Sequence, residues 1–213
     1  MNAASKLHPA LPAIEAALRD AMGERLRIVS AQPVTGGSVH SALRLDEAGG
    51  ARFFAKLATT AQAPMLEAEA DGLAAIAASG SLRTPATIAC GADEAHAFLV
   101  LEWLELQPLA SATDGARFAE ALAALHRDVG EHFGWPRDNF IGRTPQANAE
   151  RDNWARFFVE QRLRPQFAHA RAQGFDIELH KLRVDTMTLR CKYEERIAQI
   201  RAMGGDMPEG TKH

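Results

Sequence analysis

The stretch RFFAKLATTAQAPMLEAEADGLAAIAA, residues 52–78, decides the fold class of this chain. Its beginning, residues 52–57, is rich in aromatic side chains and predicts a β-strand. Residues 64–78 predict a helix, because Pro64 suits a first helical turn and Gly80 lies just beyond the last one. A strand that runs directly into a helix, with further strands on both sides, is typical of an α+β protein.

Two predicted hairpins flank this helix. Residues 39–45 alternate between apolar and polar side chains and pair with residues 52–57 across a turn rich in glycine. Residues 86–90 and 97–103 form the second predicted hairpin. An amphipathic helix is predicted over residues 12–22. The first hundred residues therefore predict an α+β arrangement with a mostly antiparallel sheet.

From Ala116 onward the pattern predicts helices. Apolar residues recur at helical spacing over residues 118–129, and a loop is predicted over residues 135–149. Asp152 is predicted to cap the next helix. Pro165 either kinks that helix or starts a new one. A helical region therefore follows the sheet.

Glu69 and Lys56 are the sharpest chemical signal. Helical spacing places Glu69 on the apolar face of its helix, together with Leu66 and Leu73. A carboxylate on such a face costs free energy unless a cation pairs with it. Lys56, on the same strand face as Phe54, is the nearest candidate. This pairing holds ATP phosphates in kinase-like folds. The alternative is a solvated Lys56 at the end of an edge strand, with Glu69 at a helix boundary.

Two short segments are further candidates for nucleotide contacts. One contains two glycines, which let a backbone approach a phosphate closely, although such a pair is usually only a turn. The other ends a predicted strand, where kinase-like folds bind adenine through backbone groups, although its tryptophan is equally consistent with a core residue. The candidates are Gly36, Gly37, Ser38 and Val39 in the first segment, and Glu102, Trp103 and Leu104 in the second.

Composition excludes several classes of partner. The chain has 213 residues, a 46% hydrophobic fraction and a net charge of −3, so it has no basic field that would attract nucleic acid or an anionic membrane. No apolar run approaches the ~20 residues of a membrane span. The N-terminal residues lack the layout of a secretory signal, and Cys90 and Cys191 form no CxxC motif. These features favour a cytoplasmic protein and leave a disulfide open.

The sequence resembles the fructosamine kinase (ketosamine-3-kinase) family in the order and spacing of its motifs from about Val34 to about Gly174. The most specific motif is FGWPRDNFIGRTPQANAERDNWARFFVEQRL, residues 133–163. The resemblance implies a protein-kinase-like fold. In that fold, residues 1–104 are an N-lobe with an antiparallel sheet and residues 105–174 are a truncated helical C-lobe. Residues 175–213 form an atypical charged tail that looks unrelated to the family.

The resemblance also implies an activity. Family members transfer the γ-phosphoryl group of ATP to the sugar of a ketoamine adduct, such as a fructosamine or ribulosamine, and so contribute to protein deglycation. ATP with Mg²⁺ is then the expected cofactor, and glycated amines or proteins are the expected partners. By this resemblance Lys56 and Glu69 anchor the phosphates, Gly36 to Val39 form the nucleotide loop, and Glu102 to Leu104 form the hinge.

The sequence departs from the family where catalysis is concerned. The family's HGD and DP motifs, which supply the base and the metal ligands, are not found in this chain. We therefore predict no catalytic residue and no metal ligand, and the histidines show no metal-ligand spacing. Two alternatives remain beside the family activity. One is a catalytically silent nucleotide-binding or scaffolding remnant, and the other is a small-molecule kinase of the aminoglycoside or choline kinase type.

A further expectation is that the isolated chain self-associates, or is marginally stable, rather than behaving as a compact monomer. Apolar residues on the predicted helices after residue 116 lack an evident partner in the sequence, and uncovered apolar patches mark interfaces. These residues are Phe118, Leu122, Leu125, Trp154, Phe157 and Phe158.

Overall fold

The structure is a computed structural model that describes residues 8–34 and 41–175. It divides into two compact units. The first comprises Met1–Glu131 and Trp135–Asn148, and the second comprises His132–Gly134 and Ala149–His213. The predicted boundaries at residues 104 and 174 stay predictions. The predicted charged tail, residues 175–213, lies outside the described residues except for Phe175.

The first unit is built on a five-stranded antiparallel sheet with the order β1-β2-β3-β5-β4. This sheet and the helices that flank it confirm the predicted α+β class. The strands are β1 (Ile28–Pro33), β2 (Ser41–Glu47), β3 (Arg52–Thr59), β4 (Thr87–Ala92) and β5 (His96–Glu102).

Strand β1 is absent from the sequence prediction. It lies at the edge of the sheet, and its register shifts between Ile28 and Ser30. It ends at Pro33, a residue that edge strands tolerate because it has no N–H to donate. An irregular edge strand lacks a clean alternation of apolar and polar residues, so its sequence does not resemble a strand.

Three helices are found among the described residues of the first unit: α1 (Leu11–Met22), α2 (Ala63–Ala78) and α3 (Ala112–Leu125). All three were predicted, and α3 begins four residues before Ala116. Helix α1 buries Leu11, Ile14 and Leu18. A short 3₁₀ turn, Thr60–Gln62, joins β3 to α2.

The sheet has two differently covered faces. Along β3 the buried residues Phe53, Ala55 and Leu57 join the cluster that contains the buried residues of α1. The alternate residues of β3 lie on the other face, where Leu66 of α2 packs against the strands. Because side chains alternate along a strand, Lys56 lies on the α2 face.

A small hairpin replaces part of the loop predicted over residues 135–149. It consists of β6 (Asn139–Ile141) and β7 (Thr144–Gln146), which pair in antiparallel fashion. The two-residue turn between them starts with Gly142, whose φ is 60°. Type II′ turns place glycine at this position. The strands are too short for a periodicity argument to detect them.

The second unit contains α4 (Trp154–Phe157), a π-helical segment (Phe158–Leu163) and α5 (Arg164–Ala172). The prediction that Asp152 caps this helix is wrong, because Asn153 is the cap and its Oδ1 accepts from the Arg156 N–H at 3.0 Å. Pro165 lies in the first turn of α5, which is one of its two predicted roles.

Among the described residues, no helix combines the length and the apolar character that crossing a membrane requires.

Candidate functional site

Lys56 and Glu69 form an ion pair in which Lys56 Nζ donates to Glu69 Oε1. The alternative of a solvated lysine on an edge strand is wrong, because β3 is a central strand with β2 on one side and β5 on the other. The Lys56 side chain is 29% exposed and the Glu69 side chain 30% exposed. The pair is therefore half-buried, and its charges remain reachable from solvent.

The connection between β3 and α2 helps to place Glu69 opposite Lys56. Thr59 and Gln62 bracket the 3₁₀ turn through side-chain hydrogen bonds, with Gln62 Oε1 accepting from the Thr59 hydroxyl at 3.1 Å. The Thr59 N–H donates to the same oxygen at 3.3 Å. A short capped turn leaves α2 little freedom at its start.

The Lys56 ammonium has donors to spare for an anion. An ammonium carries three N–H donors, and Glu69 accepts from it through one carboxylate oxygen. The Glu69 carboxylate holds the Lys56 side chain in place and so fixes the position of the remaining N–H donors. A phosphate group is a suitable acceptor, because a compact ammonium acts as a point charge toward phosphate oxygens.

An arginine that the sequence reasoning missed lies on the same sheet face. Arg44 of β2 lies opposite Phe54 of β3. Its guanidinium lies 6.0 Å from the centre of the Trp103 ring, and its Nη2 donates to Asp46 Oδ2 at 3.1 Å. The Arg44 Nε is buried and has no hydrogen-bond partner among the described residues. The alternation of β2 was the available signal, since Leu43 and Leu45 face α1.

Aromatic residues accompany this arginine. The rings of Phe54 and Trp103 lie 6.5 Å apart at an interplanar angle of 41°. Phe54 and Lys56 share one face of β3, so the aromatic pair and the ammonium lie on the same side of the sheet. This face therefore combines apolar rings with positive charge.

The predicted hinge residues have distinct surroundings. The Glu102 N–H donates to the Ala86 carbonyl at 2.8 Å, and the Glu102 carboxylate accepts from Arg83 at 2.6 Å. The Trp103 indole N–H donates to Glu105 at 3.0 Å. Within residues 8–34 and 41–175, the backbone N–H of Leu104 has no hydrogen-bond partner. Leu104 therefore offers an open donor, whereas the side chain of Glu102 is occupied.

The predicted nucleotide loop, Gly36, Gly37, Ser38 and Val39, lies outside the described residues. The residues that bracket it are described. The Val34 N–H donates to the Ala42 carbonyl at 2.9 Å, and Ala42 lies opposite Lys56 in the sheet. The described chain therefore stops at Val34, just after edge strand β1, and resumes at Ser41 on β2, the strand next to the one that carries Lys56.

No protein-held metal site is found among the residues that the structure describes, because no group of three or more His, Cys, Asp or Glu side chains is suitably placed. Within residues 8–34 and 41–175, the side chains therefore offer no such group that would hold a magnesium ion.

The second unit has an open polar cavity of 450 Å³, which begins at His132 and continues along residues 150–153 to Arg156. Its arginines are already engaged. Glu160 accepts from Arg151 at 2.7 Å and from Arg156 at 3.0 Å, and these hydrogen bonds hold the pKa of Glu160 below its usual value. This cavity is therefore a weaker candidate for binding an anion than the Lys56 face.

Comparison with known proteins identifies the family of the chain. The family model for fructosamine kinase matches residues 10–207. The chain belongs to the fructosamine kinase family. The match begins before Val34 and continues beyond Gly174. The expectation that the tail is unrelated to the fructosamine kinase family is therefore wrong for residues 175–207.

Curated relatives of this fructosamine kinase family member carry ketoamine kinase names. A probable ketoamine kinase of Synechocystis is 41% identical over 153 residues, which cover 71% of this chain and 51% of the relative. A probable ketoamine kinase of Vibrio cholerae is 32% identical over 167 residues, which cover 78% of this chain and 58% of the relative. The chain thus spans about half the length of the curated relatives it matches.

A solved structure supports the kinase-like fold. A Haemophilus somnus protein that is named as a fructosamine-3-kinase superposes on this family member with a TM-score of 0.68 and 27% sequence identity. The match covers 76% of this chain and 54% of that protein. The predicted kinase-like fold class is confirmed.

Proposed function

We propose that this chain is an ATP-dependent ketoamine kinase, with the nucleotide bound on the sheet face that carries Lys56. The Lys56–Glu69 ion pair is the observation that carries the proposal. In protein kinases a strand lysine contacts the phosphates of ATP while a helix glutamate holds that lysine. Here β3 supplies the lysine and α2 supplies the glutamate.

The surrounding residues suit the other parts of a nucleotide. Phosphate oxygens would accept from the free donors of Lys56, and the adenine edge would accept from the open N–H of Leu104. Phe54 and Trp103 supply aromatic rings between these two points. Phe54 and Lys56 are two residues apart on one strand face, which corresponds to about 7 Å along β3.

The reaction in this proposal transfers the γ-phosphoryl group of ATP to a sugar hydroxyl of a ketoamine adduct. The new bond joins the hydroxyl oxygen to phosphorus, the bond to the ADP oxygen breaks, and the hydroxyl proton passes to a base. The ketoamine acceptor is proposed because the curated relatives are named ketoamine kinases. A cytoplasmic location and a role in deglycation belong to the same proposal.

A second candidate function is nucleotide binding without transfer. It is favoured by the sequence, which contains neither an HGD nor a DP motif. Phosphoryl transfer depends on positioning and on neutralisation of charge by metal ions, and the described residues contain no group of three or more side chains placed to hold a metal ion. The two candidates share the nucleotide site and differ only in the chemical step.

Calorimetry with a non-hydrolysable ATP analogue tests the shared site. We expect Lys56→Ala to weaken binding by about tenfold or more, because a charge-assisted hydrogen bond to phosphate is lost. Arg25→Ala is the matched control, since it removes one positive charge from an exposed loop of the same unit. Equal affinity of the wild type and Lys56→Ala would contradict the proposal.

A phosphotransfer assay separates the two candidates. The purified 213-residue chain is supplied with ATP, Mg²⁺ and a fructosamine or ribulosamine acceptor. Turnover that Lys56→Ala abolishes would support the kinase. Tight nucleotide binding without turnover would support the second candidate.

A further inference from the structure

Arg137 forms a fork across two carboxylates of α2. Its Nη1 donates to Asp71 Oδ2 at 2.8 Å, and its Nη2 donates to Glu67 Oε2 at 2.9 Å. Residues four apart on a helix lie one turn apart on the same face. A planar guanidinium can reach both carboxylates at once, which an ammonium cannot do with the same geometry. The fork therefore restricts both the translation of this part of α2 along its axis and its rotation about that axis.

The face that Arg137 holds is opposite the face that carries Glu69. Each of Glu67 and Asp71 is two residues from Glu69, which corresponds to about 160° around a helix of 3.6 residues per turn. Lys56 thus contacts the inner side of α2, and Arg137 contacts its outer side. A rotation of α2 that breaks one contact would also disturb the other.

Apolar packing alone holds α2 weakly. Leu66 is the one buried residue among the 16 residues of this helix. The other apolar side chains that pack toward the sheet are partly buried, and those of Ala63 and Ala70 are small. Small side chains form shallow ridges, which specify the position of a helix less strongly than large ones. The polar contacts of α2 therefore have an unusually large share in setting its position.

Arg137 itself is held by a buried amide. Asn148 is 1% exposed, and its Nδ2 donates to the Arg137 carbonyl at 3.1 Å. The Asn148 N–H donates to Asp138 Oδ1 at 2.8 Å, so the neighbouring residue is fixed as well. The backbone at Arg137 is thus anchored independently of α2. Because its backbone is anchored in this way, Arg137 can restrict the movement of α2 through its hydrogen bonds to Glu67 and Asp71.

The charges of the fork are mutually favourable. Hydrogen bonds to Glu67 and then to Asp71 raise the pKa of Arg137 above its usual value. The side chain of Arg137 is 38% exposed, so solvent screens this interaction in part. The fork therefore contributes little to the free energy of unfolding, and its main effect is to position α2.

We infer that Arg137 is a positioning residue for the nucleotide site: it holds the outer face of α2 so that Glu69 on the inner face stays in contact with Lys56. This inference rests on the proposed function, since it assigns to Arg137 an effect on nucleotide binding. Arg137 does not touch the nucleotide in this scheme. It acts through α2 and Glu69.

The first experiment needs no nucleotide. Hydrogen exchange of the α2 amides is measured in the free wild type, in Arg137→Ala and in Arg156→Ala. We expect faster exchange along α2 in Arg137→Ala and wild-type rates in Arg156→Ala, which removes a surface arginine from an ion pair in the second unit. Asp71→Asn weakens the fork from the other side and serves where Arg137→Ala folds poorly. Unchanged α2 exchange in both fork variants would overturn the inference.

The second experiment measures the affinity for the ATP analogue. We expect Arg137→Ala to bind about fivefold more weakly than wild type, Arg137→Lys to recover part of the affinity, and Arg156→Ala to bind normally. In a Glu69→Gln background, Arg137→Ala should have no further effect on affinity, because Glu69 is the residue through which it acts. A purely structural role would lower the melting temperature in both backgrounds and leave the affinity of folded protein unchanged.

These measurements separate failure of the inference from failure of the proposed function. If the wild type binds the analogue and Arg137→Ala binds it equally well, the inference is overturned and the proposed function stands. If the wild type does not bind, the proposed function and the assigned effect on nucleotide binding both fall.

Discussion

His8 links the start of α1 to the sheet through its imidazole. Its Nδ1 accepts from the Ala10 N–H at 3.2 Å, and its ring meets the ring of His96 edge to face at 5.5 Å. His96 in turn lies 3.4 Å from Asp93. Burial, and then the charge of His96, lower the pKa of His8 below its ordinary value of 6.5. Protonation would also remove the acceptor that Ala10 uses.

The His8 environment predicts a dependence of stability on pH. Because the folded-state pKa is lowered, the unfolded chain takes up the proton first, and the free energy of unfolding falls as the pH drops below about 6.5. The decline levels off once the pH is below the folded-state pKa. We expect His8→Asn, which keeps an acceptor without titrating, to make this decline shallower in urea unfolding from pH 8 to pH 5. His126→Asn is the matched control at an exposed position. An equally steep decline in His8→Asn would contradict the assignment.

The contact between Lys56 and Glu69 could be predicted because its signals are local. Strand alternation places Lys56 on one face, and helical spacing places Glu69 on the inner face of α2. Arg44 and Arg137 could not be found in this way. The partners of Arg137 are 66 and 70 residues away, so only the folded chain brings them together. The roles of Lys56 and Glu69 in binding a nucleotide stay predictions.

Helix α3 depends on its N-terminal cap more than the other helices of the first unit do. None of its residues is buried. The Ser111 hydroxyl oxygen accepts from the Asp114 N–H at 3.1 Å, and the Asp114 carboxylate accepts from the Ser111 N–H at the same distance. This reciprocal capping box satisfies the backbone donors of the first turn.

We expect Ser111→Ala to destabilise α3 by about 1 kcal/mol, because the cap is lost while no apolar packing compensates for it. The measurable result is a loss of helical circular dichroism and faster amide exchange in the first turn, with the sheet amides unchanged. Ser111→Asp is the matched control, since aspartate is an equally good cap. Uniform acceleration across the sheet in Ser111→Ala would show that α3 is coupled to the whole unit.

The predictability of the elements follows the regularity of their sequences. Helices α1 and α2 and strands β2 to β5 carry clear periodic patterns, and the structure contains all of them. The misses are irregular elements: β1 at the edge, the three-residue strands β6 and β7, and the π-helical segment at Phe158–Leu163. The sequence cannot decide which of the adjacent residues Asp152 and Asn153 caps the helix, because both residue types are good caps and only the folded chain shows that Asn153 has the non-helical φ and ψ of the cap.

At the scale of the whole molecule, each unit exposes apolar side chains. In the first unit Phe118 of α3 is 48% exposed, and in the second unit Trp154 is 54% exposed. Phe157 differs from the expectation, because it is buried in the second unit beneath the Arg162 guanidinium at 4.6 Å. Exposed aromatic residues favour association, since water gains entropy when they are covered.

We expect the purified chain to self-associate, as the sequence predicts. Light scattering after size exclusion should give a mass above the 23.1 kDa of one chain and a mass that rises with concentration. Phe118→Ser and Trp154→Ser should shift the mass toward that of a monomer, whereas Arg25→Ala should not. A monomer at every concentration, with a sharp cooperative melt, would contradict this expectation.

The order of the strands bears on how the chain folds during synthesis. All five strands of the main sheet lie between Ile28 and Glu102. Three of the four strand pairs join consecutive strands, and the fourth joins β3 to β5 across the intervening α2 and β4. Every residue needed for that sheet therefore emerges from the ribosome before α3 and the second unit do. Domains fold as units from the N-terminus during translation, and local pairings form quickly. The nascent chain can thus bring Lys56 and Glu69 together while its C-terminal half is still being translated.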